Sequence, residues 1–470
     1  MNTRAKSLGK IIDTSKESGT GRVMDFIDRF FTSEMVEHFF FSVVCATAFT
    51  AGLCHWLLDL GYKYRFEDTS TNVVDFVWVF LLAAVISVYY LVRKKRIRFD
   101  MALVLLCQGL VLAAVIDYHN GQYPEVPYAY IIPIAYIVGK LVVTSDVKIA
   151  NFRMIVLYFA MAIGIFITTL LDFLMDFKYA SVYGWQTESW IGFWIAPNPE
   201  NRCTMEFGFI LISAATGYLL YASTKNIYIL VFVIQANLII QRLVIKVTGR
   251  ENRLILPLAV AFTGVLYVFD HWKDFSVRVK TFVKRGIGVC VLAILLFILA
   301  FFMNIGGLHD KYEASNWSAG GGVLTNVRLS IDWAGFKAMI AHPLDDYNLH
   351  DGLPKSHSML LEYGRAYDIA VWGILLLARV VLIKDAILLM LKKDKYSRIK
   401  YLYVPAFTAV NMYYSMEPNG YAHRYFWLVG LFLSGMIRGW LECDRMQPDD
   451  ICISDISSHS IEVAMQSLDS

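Results

Sequence analysis

The chain has 470 residues, of which 57% are hydrophobic and 18% are charged, and its mean hydropathy is +0.49. Soluble globular proteins carry about a quarter charged residues, so this composition excludes an ordinary soluble domain. The net charge of +3 is too small to indicate a nucleic-acid partner. Apolar runs of about 20 residues recur between charge clusters, which predicts an all-α polytopic membrane protein.

Twelve apolar runs are predicted to span the membrane. Together with their loops they make one transmembrane domain, 36–440, between a polar N-terminal segment, 1–35, and a polar tail, 441–470, predicted to be disordered. The runs cover about 37–59, 73–92, 101–117, 127–144, 153–176, 205–223, 227–246, 254–271, 286–306, 366–383, 401–415 and 425–440.

The distribution of basic residues predicts the orientation of the spans. Of the 43 Lys and Arg residues, 26 fall on one side, 12 on the other and five within the runs. Segments rich in Lys and Arg stay in the cytoplasm. Both termini are therefore predicted to be cytoplasmic, and two large loops, about 177–204 and 307–365, are predicted to lie outside. The second loop separates spans nine and ten.

The loop 307–365 and the span after it carry the most informative stretch of the chain. Its first half reads "LTNVRLSIDWAGFKAMIAHPL" and places apolar residues at mixed helical spacing. This spacing predicts an amphipathic helix at the membrane surface that ends at Pro343. The apolar residues are Leu329, Ile331, Trp333, Phe336 and Ile340.

The second half of this stretch, "KSHSMLLEYGRAYDIAVWGILLL", begins with a candidate helix cap at Ser356. A cap at Ser356 would place His357 in the first helical turn. The partial positive charge of a helix N-terminus disfavours a charged imidazole there. Neutral imidazole is the form that a general base needs, so we interpret His357 as a candidate base. A loop histidine can equally bond only to its neighbours.

Arginines on the outer side are few and suit phosphate recognition, because guanidinium presents a fixed fork of donors. Arg250 lies in the short outer turn "VTGRENR", and Arg242 lies about two turns deeper in span seven. Arg328 lies on the long loop. Contact with lipid headgroups or snorkelling explains any one of them as well. For Arg250 and Arg328 together with His357, we favour a functional role over lipid contact or snorkelling. Arg202, before span six, either touches substrate or marks the membrane boundary.

A metal site is the weaker interpretation of the polar residues in the long loop. Carboxylates and imidazoles are adequate ligands for a divalent cation, but no HxxxH or HExxH spacing is present. We therefore predict no metal and no cofactor. A salt bridge is the simplest account of Glu417, His423 and Arg424 in the last outer turn. The candidate ligands are His309, His342, His350, Asp310, Asp345, Asp346 and Asp351.

Three short stretches resemble the superfamily of O-antigen ligases and O-antigen polymerases. "NVRLSIDWAGFKAMIAHPL" resembles its Arg-bearing helix that ends in proline, "SHSMLLEYGRAYDIAVWGI" its following histidine segment, and "TGRENRLILPL" its outer arginine turn. About twelve spans with a large loop between spans nine and ten extend the resemblance along the chain. The resemblance implies a GT-C-type glycosyltransferase of the bacterial inner membrane, with its active site facing the periplasm.

The resemblance also implies the reaction. Glycan would pass from an undecaprenyl-diphosphate-linked donor to an acceptor hydroxyl, with inversion and without a metal. His357 would be the base, Arg328 and Arg250 would stabilise the diphosphate, and Arg202 and Arg242 would bind substrate. The acceptor is lipid A–core for a ligase and a second lipid-linked glycan for a polymerase. The proline seven residues after Arg250 favours the ligase.

A flippase for lipid-linked sugars is the rival from another class, since it also needs about a dozen spans. A transport path would place charged residues within the spans. The charges noted within the runs are few, at Asp75, Lys140, Arg242 and Lys246, and polar residues collect on one side. This asymmetry favours an enzyme that works at a surface.

Overall fold

A computed structural model describes residues 34–53, 99–121, 126–143, 146–183, 199–223, 255–307, 310, 327–344, 356, 358–393, 396–416 and 425–445. These residues are predominantly helical, and no β-strand occurs among them. The predicted all-α class is therefore confirmed for this part of the chain.

Twelve α-helices are described, and we number them in chain order. Short 3₁₀ turns follow the seventh and tenth, at Ile305–Gly307 and Tyr396–Ile399. The helices are α1 (Glu34–Leu53), α2 (Met101–His119), α3 (Val126–Val143), α4 (Val147–Tyr183), α5 (Pro199–Ser223), α6 (Ile255–His271), α7 (Val277–Phe302), α8 (Val327–Ala341), α9 (Met359–Ala366), α10 (Ile369–Leu391), α11 (Lys400–Met416) and α12 (Tyr425–Arg445).

Ten of the predicted spans coincide with described helices, namely α1 to α7 and α10 to α12. The runs 73–92 and 227–246 lie outside the described residues, so the number of twelve spans stays a prediction. The predicted surface helix is α8, and its end before Pro343 is confirmed. The predicted helix after Ser356 is divided into two, α9 and α10, with Tyr367 and Asp368 between them.

Polar side chains fix where the apolar helices begin. Asp100 Oδ1 accepts the Leu103 N–H at 3.0 Å at the start of α2, and Asp368 Oδ1 accepts the Val371 N–H at 2.7 Å at the start of α10. The first turn of a helix leaves N–H groups without intrahelical partners, which such caps satisfy. Both caps stand where a polar segment meets an apolar run.

Three described helical stretches are long and apolar enough to cross a membrane, by length and composition. They are α2, residues 147–167 of α4, and α7. Shorter apolar stretches occur at Glu37–Phe49, Ile132–Val143 and Phe207–Leu219. These helices indicate a membrane protein.

Helices α3 and α12 approach each other at glycines. A Cβ atom added to Gly435 would lie 2.1 Å from the Tyr136 carbonyl oxygen, and one added to Gly139 would lie 2.3 Å from the Phe432 carbonyl oxygen. Only a residue without a side chain permits this distance between backbones. Small residues give membrane helices this close contact, which improves their van der Waals packing.

Helix α10 runs antiparallel to α2 along its length. Near the end of α2, Asp117 accepts a hydrogen bond from Tyr367, just before α10, at 3.2 Å. At the start of α2, Asp100 lies 3.9 Å from Arg438, which also bonds Asp385 of α10 at 3.2 Å. We call these the Asp117 end and the Asp100 end of the bundle.

Buried ion pairs join four helices at the Asp100 end. Lys140 Nζ of α3 lies 2.8 Å from Asp100 Oδ2 and 2.9 Å from Glu442 Oε1 of α12. Arg438 of α12 bonds Glu442 at 2.9 Å and Asp385 of α10 at 3.2 Å. The Lys140 side chain is 1% exposed. Removing one partner of such a buried pair leaves the other charge uncompensated, so the network fixes the relative positions of the helices.

The last helix is longer than the apolar run that predicted it. α12 continues to Arg445, so the boundary predicted at residue 441 falls inside the helix. The physical reason is that Glu442 and Asp444, which look like tail residues in the sequence, pair with Lys140 and Lys392. Residues 446–470 lie outside the described part of the chain.

The glycine contact predicts a selective loss of stability. Gly435→Ala should lower the unfolding temperature in detergent, because the added methyl overlaps the α3 backbone and overpacking costs about 1–3 kcal/mol. The matched control is Gly264→Ala in α6, where an added Cβ meets nothing within 4 Å. Alanine favours helix over glycine, so this control should be neutral or slightly stabilising. Equal unfolding temperatures for the two variants would contradict the close α3–α12 contact.

Candidate functional site

The structure describes two of the five predicted site residues, and for these only the backbone. Arg328 is the second residue of α8, and Arg202 lies in the first turn of α5. His357, Arg250 and Arg242 lie outside the described residues, as do Glu417, His423 and Arg424. The contacts of the five predicted side chains are therefore still predictions.

The residues on either side of His357 are held in place. Ser356 is fully buried, and its N–H donates to Glu362 Oε2 at 2.7 Å. The Ser356 hydroxyl donates to Asp332 Oδ1 in a short hydrogen bond and accepts the Ser358 N–H at 3.2 Å. Three hydrogen bonds thus anchor the chain at Ser356, immediately before His357.

The predicted cap of this segment is wrong by two residues. The N-cap is Ser358, and α9 begins at Met359, so His357 precedes the helix. Ser356 lies two residues before this cap, and its hydroxyl is held by Asp332 of α8. The influence of a helix dipole falls off within the first turn. The dipole argument for a neutral imidazole at His357 therefore loses its basis.

The hydrogen bond between Asp332 and Ser356 joins the two halves of the informative stretch. Asp332 follows Arg328 by four residues on α8. Residues four apart lie on the same helix face, about 6 Å apart along the axis. The face of α8 that carries Arg328 is therefore the face that meets the segment containing His357. The sequence could not predict this contact, because 23 residues separate Asp332 from Ser356 and no local spacing relates them.

A buried ion pair supports the same segment. Arg365 Nη1 donates to Glu362 Oε2 at 3.2 Å, and both side chains are 1% exposed. Arg365 also packs on α8, since a Cβ added to Gly335 would lie 2.9 Å from Arg365 Cδ. Glu362 Oε2 therefore accepts from both Arg365 and the backbone of Ser356. The sequence signal that could have indicated this pair is the acid–base spacing of three residues within "MLLEYGRA".

Aromatic side chains seat α9 in the bundle, and all eight of its residues are buried. The Tyr363 ring lies 5.9 Å from Trp427 of α12, and Trp427 lies 5.7 Å from Tyr414 of α11, centroid to centroid. Edge-to-face and tilted pairs of this kind add to the energy of burial. The long loop therefore ends in a packed element of the bundle, near its Asp117 end.

Below α9 lies a small cavity with one basic residue in its lining. Its volume is about 20 Å³, enough for about one water molecule. Met359 and Leu360 of α9 line it on one side, and Arg379 of α10 and Asn411 of α11 line it on another. Arg379 was not among the predicted site residues. The signal that could have indicated it is a lone arginine inside the apolar run "ILLLARVVLI".

Within the described part of the chain, no group of three or more His, Cys, Asp or Glu side chains is placed to hold a metal ion. His309, His350, Asp345, Asp346 and Asp351, which the sequence offered as candidate ligands, lie outside that part.

No protein-family model matches the sequence, and the search of curated proteins finds no match.

The Glu362–Arg365 pair gives a test of how the segment is supported. Arg365→Met should destabilise the protein by about 3–5 kcal/mol, because it removes the cation from a buried carboxylate. The double variant Glu362→Gln, Arg365→Met should regain part of that stability, since no buried charge remains while the amide oxygen still accepts the Ser356 N–H. Denaturant unfolding in detergent measures the free energy of unfolding of the double variant and of each single variant. A double variant that is less stable by the sum of the two single effects would argue against the pair.

Proposed function

We propose that the chain is a membrane glycosyltransferase that transfers glycan from an undecaprenyl-diphosphate-linked donor to an acceptor hydroxyl, in the manner of an O-antigen ligase. The observation that carries the proposal is the hydrogen bond between Asp332 and Ser356. It joins the helix that carries Arg328 to the segment that carries His357. These are two of the three stretches whose sequences resemble the family.

The reaction needs charge stabilisation and one proton transfer. The bond between the anomeric carbon and the diphosphate oxygen breaks, and the lipid diphosphate leaves with the electron pair. The acceptor oxygen bonds to the anomeric carbon from the opposite side, and its proton passes to His357, so the configuration inverts. Arg328 and Arg250 stabilise the negative charge that develops on the diphosphate, with Arg202 and Arg242 as further binding residues.

No metal is part of the proposal, because arginines supply the positive charge. The donor already carries a good leaving group, so positioning of the acceptor and electrostatic stabilisation account for the catalysis. The buried supports of Ser356 serve this end, since they reduce the freedom of the backbone beside the proposed base.

The proposed topology places the active site in the periplasm and both termini in the cytoplasm. The residues of the ion-pair network all lie at helix ends that the distribution of Lys and Arg assigns to the cytoplasm. They are Asp100, Lys140, Asp385, Arg438 and Glu442. Their contact at one end of the bundle agrees with that assignment. The Ser356 segment and α9 lie toward the Asp117 end, on the opposite side.

Substitution of the proposed base and the loop arginine should separate function from folding. His357→Ala and Arg328→Ala should insert normally and lose transfer by about 100-fold or more, the range expected for a general base or a charge-stabilising donor. His342→Ala and Lys337→Ala, two exposed residues of the same loop, are the controls and should retain activity. The measurement is glycan transfer by the purified protein in detergent. Near-normal transfer by either test variant would remove that residue from the mechanism.

The lipopolysaccharide of a deletion strain tests which acceptor is used. Loss of long glycan from lipid A–core, with polymerised lipid-linked glycan accumulating, is the result expected for a ligase. Core that bears a single repeat unit would mean a polymerase with the same catalytic residues. Transfer in detergent, where no compartments exist, argues against a flippase. Failure of the purified protein to transfer any glycan to either acceptor would count against the enzyme.

A further inference from the structure

Arg379 lies far inside a predominantly apolar helix, and among the described residues its guanidinium donates to neutral groups. Its Nε donates to Asn411 Oδ1 at 3.1 Å, and its Nη2 donates to the Asn411 carbonyl at 2.7 Å and to Ser415 Oγ at 2.6 Å. Among the described residues no carboxylate lies within ion-pair distance of it. Nη1 donates to none of the described residues.

Other basic residues inside the bundle behave differently. Five of them each lie within 3.5 Å of a carboxylate, so their charge is compensated by the protein itself. Arg379 is an exception among the described basic residues of the bundle interior. The five are Lys140, Arg153, Arg365, Lys400 and Arg438.

The position of Arg379 makes an uncompensated charge expensive. It follows Ile369 by ten residues and precedes Asp385 by six, which places it about 15 Å from the start of α10 and about 9 Å from the ion-pair network. Helix α10 runs beside α2, one of the helices long enough to cross a membrane. A charged side chain at such depth is rare and marks a functional site unless it is paired.

The guanidinium lies toward the end of the bundle that carries the candidate functional site. Side chains on a helix point toward its N-terminus, here the Asp117 end, and Arg379 accordingly reaches Ser415 in the last turn of α11. Met359 and Leu360 of α9 line the same cavity as Arg379. These two residues follow His357 and Ser358 directly in the chain.

The surroundings suit an anion that is attached to an apolar chain. The cavity is otherwise lined mainly by apolar side chains, including Leu375, Leu382 and Phe407. Ser415, which accepts a hydrogen bond from Arg379 Nη2, is exposed at the end of α11. The cavity is too small for a phosphate, so an anion would reach the guanidinium from the exposed side at Ser415, beside the apolar side chains that line the cavity.

We propose that Arg379 binds the diphosphate of the lipid-linked donor at the edge between α10 and α11. The shared boundary with α9 favours the donor over an ordinary phospholipid, because the anion would then lie beside the segment that carries the proposed base. This assignment rests on the proposed function. The binding of a phosphate attached to an apolar chain does not depend on the proposed function, because it is inferred from Arg379 and its neighbours alone.

The test measures binding of farnesyl diphosphate, a short soluble polyprenyl diphosphate, to the full-length protein in detergent by calorimetry. Arg379→Gln should raise its Kd about tenfold or more, because a charge-assisted contact is lost. Arg379→Lys, which keeps the charge, should raise it less. The control is Lys384→Gln, an exposed charge five residues further along the same helix, which should leave the Kd unchanged. Equal Kd values for all four proteins would mean that Arg379 only joins α10 to α11, and would overturn the proposal.

A measurement on the unaltered protein covers the case in which Arg379→Gln does not fold. Phenylglyoxal modifies accessible arginines, and farnesyl diphosphate should slow its reaction at Arg379, read by peptide mass spectrometry. Absence of protection would overturn the proposal. Equal protection by phosphatidylglycerol at the same concentration would overturn the assignment to the donor in favour of a phospholipid.

Transfer assays keep this inference separate from the proposed function. If the unaltered protein transfers glycan and Arg379→Gln transfers it with unchanged KM and kcat, the inference fails and the proposed function stands. If the unaltered protein binds farnesyl diphosphate through Arg379 but transfers no glycan, the proposed function fails and the phosphate site stands. A raised KM for the donor in Arg379→Gln is the result expected when both hold.

Discussion

The carboxylate of Asp100 is the interaction on which the described bundle depends. One of its oxygens caps α2, and the other accepts from Tyr136 at 3.0 Å and from Lys140 at 2.8 Å. Arg438 approaches the same carboxylate and links it to Asp385 and Glu442. Four helices thus meet through one buried group of three acids and two bases. A hydrophobic contact tolerates small rotations of a helix, but a buried ion pair does not, because rotation leaves a charge without a partner.

This fixed end has a consequence for the opposite end of the bundle. Lys140 and Glu442 set α3 against α12, and the contact at Gly139 and Gly435 extends the same alignment along both helices. The position of α12 in turn places Trp427, on which α9 rests. The segment beside His357 is therefore positioned by contacts that begin at the far end of the bundle, where no substrate is proposed to bind. Rigid helices are a better support for a site than loops alone.

Compensation of charge divides the bundle into two chemical environments. At the Asp100 end each buried base has a carboxylate, which the protein supplies from a neighbouring helix. Toward α9, Glu362 and Arg365 compensate each other and hold Ser356, whereas the groups that Arg379 bonds in the described part of the chain are an amide, a carbonyl and a hydroxyl. Compensated charges hold helices together, while an uncompensated charge in an apolar setting is costly and marks a candidate functional site.

The sequence by itself determined the helical class and the positions of ten helices, because apolar runs of membrane length and their charged borders are local properties of the chain. It also indicated α8 and its end before Pro343, and it drew attention to the stretch around Arg328 and His357. Only the tertiary structure decided that Ser356 bonds Asp332 rather than capping a helix, that Glu442 belongs to α12, and that Arg379 bonds Asn411 and Ser415 of α11. The physical reason is that each of these depends on partners far away in the chain. Periodicity reports which face of a helix is apolar, but it does not report which polar group lies opposite.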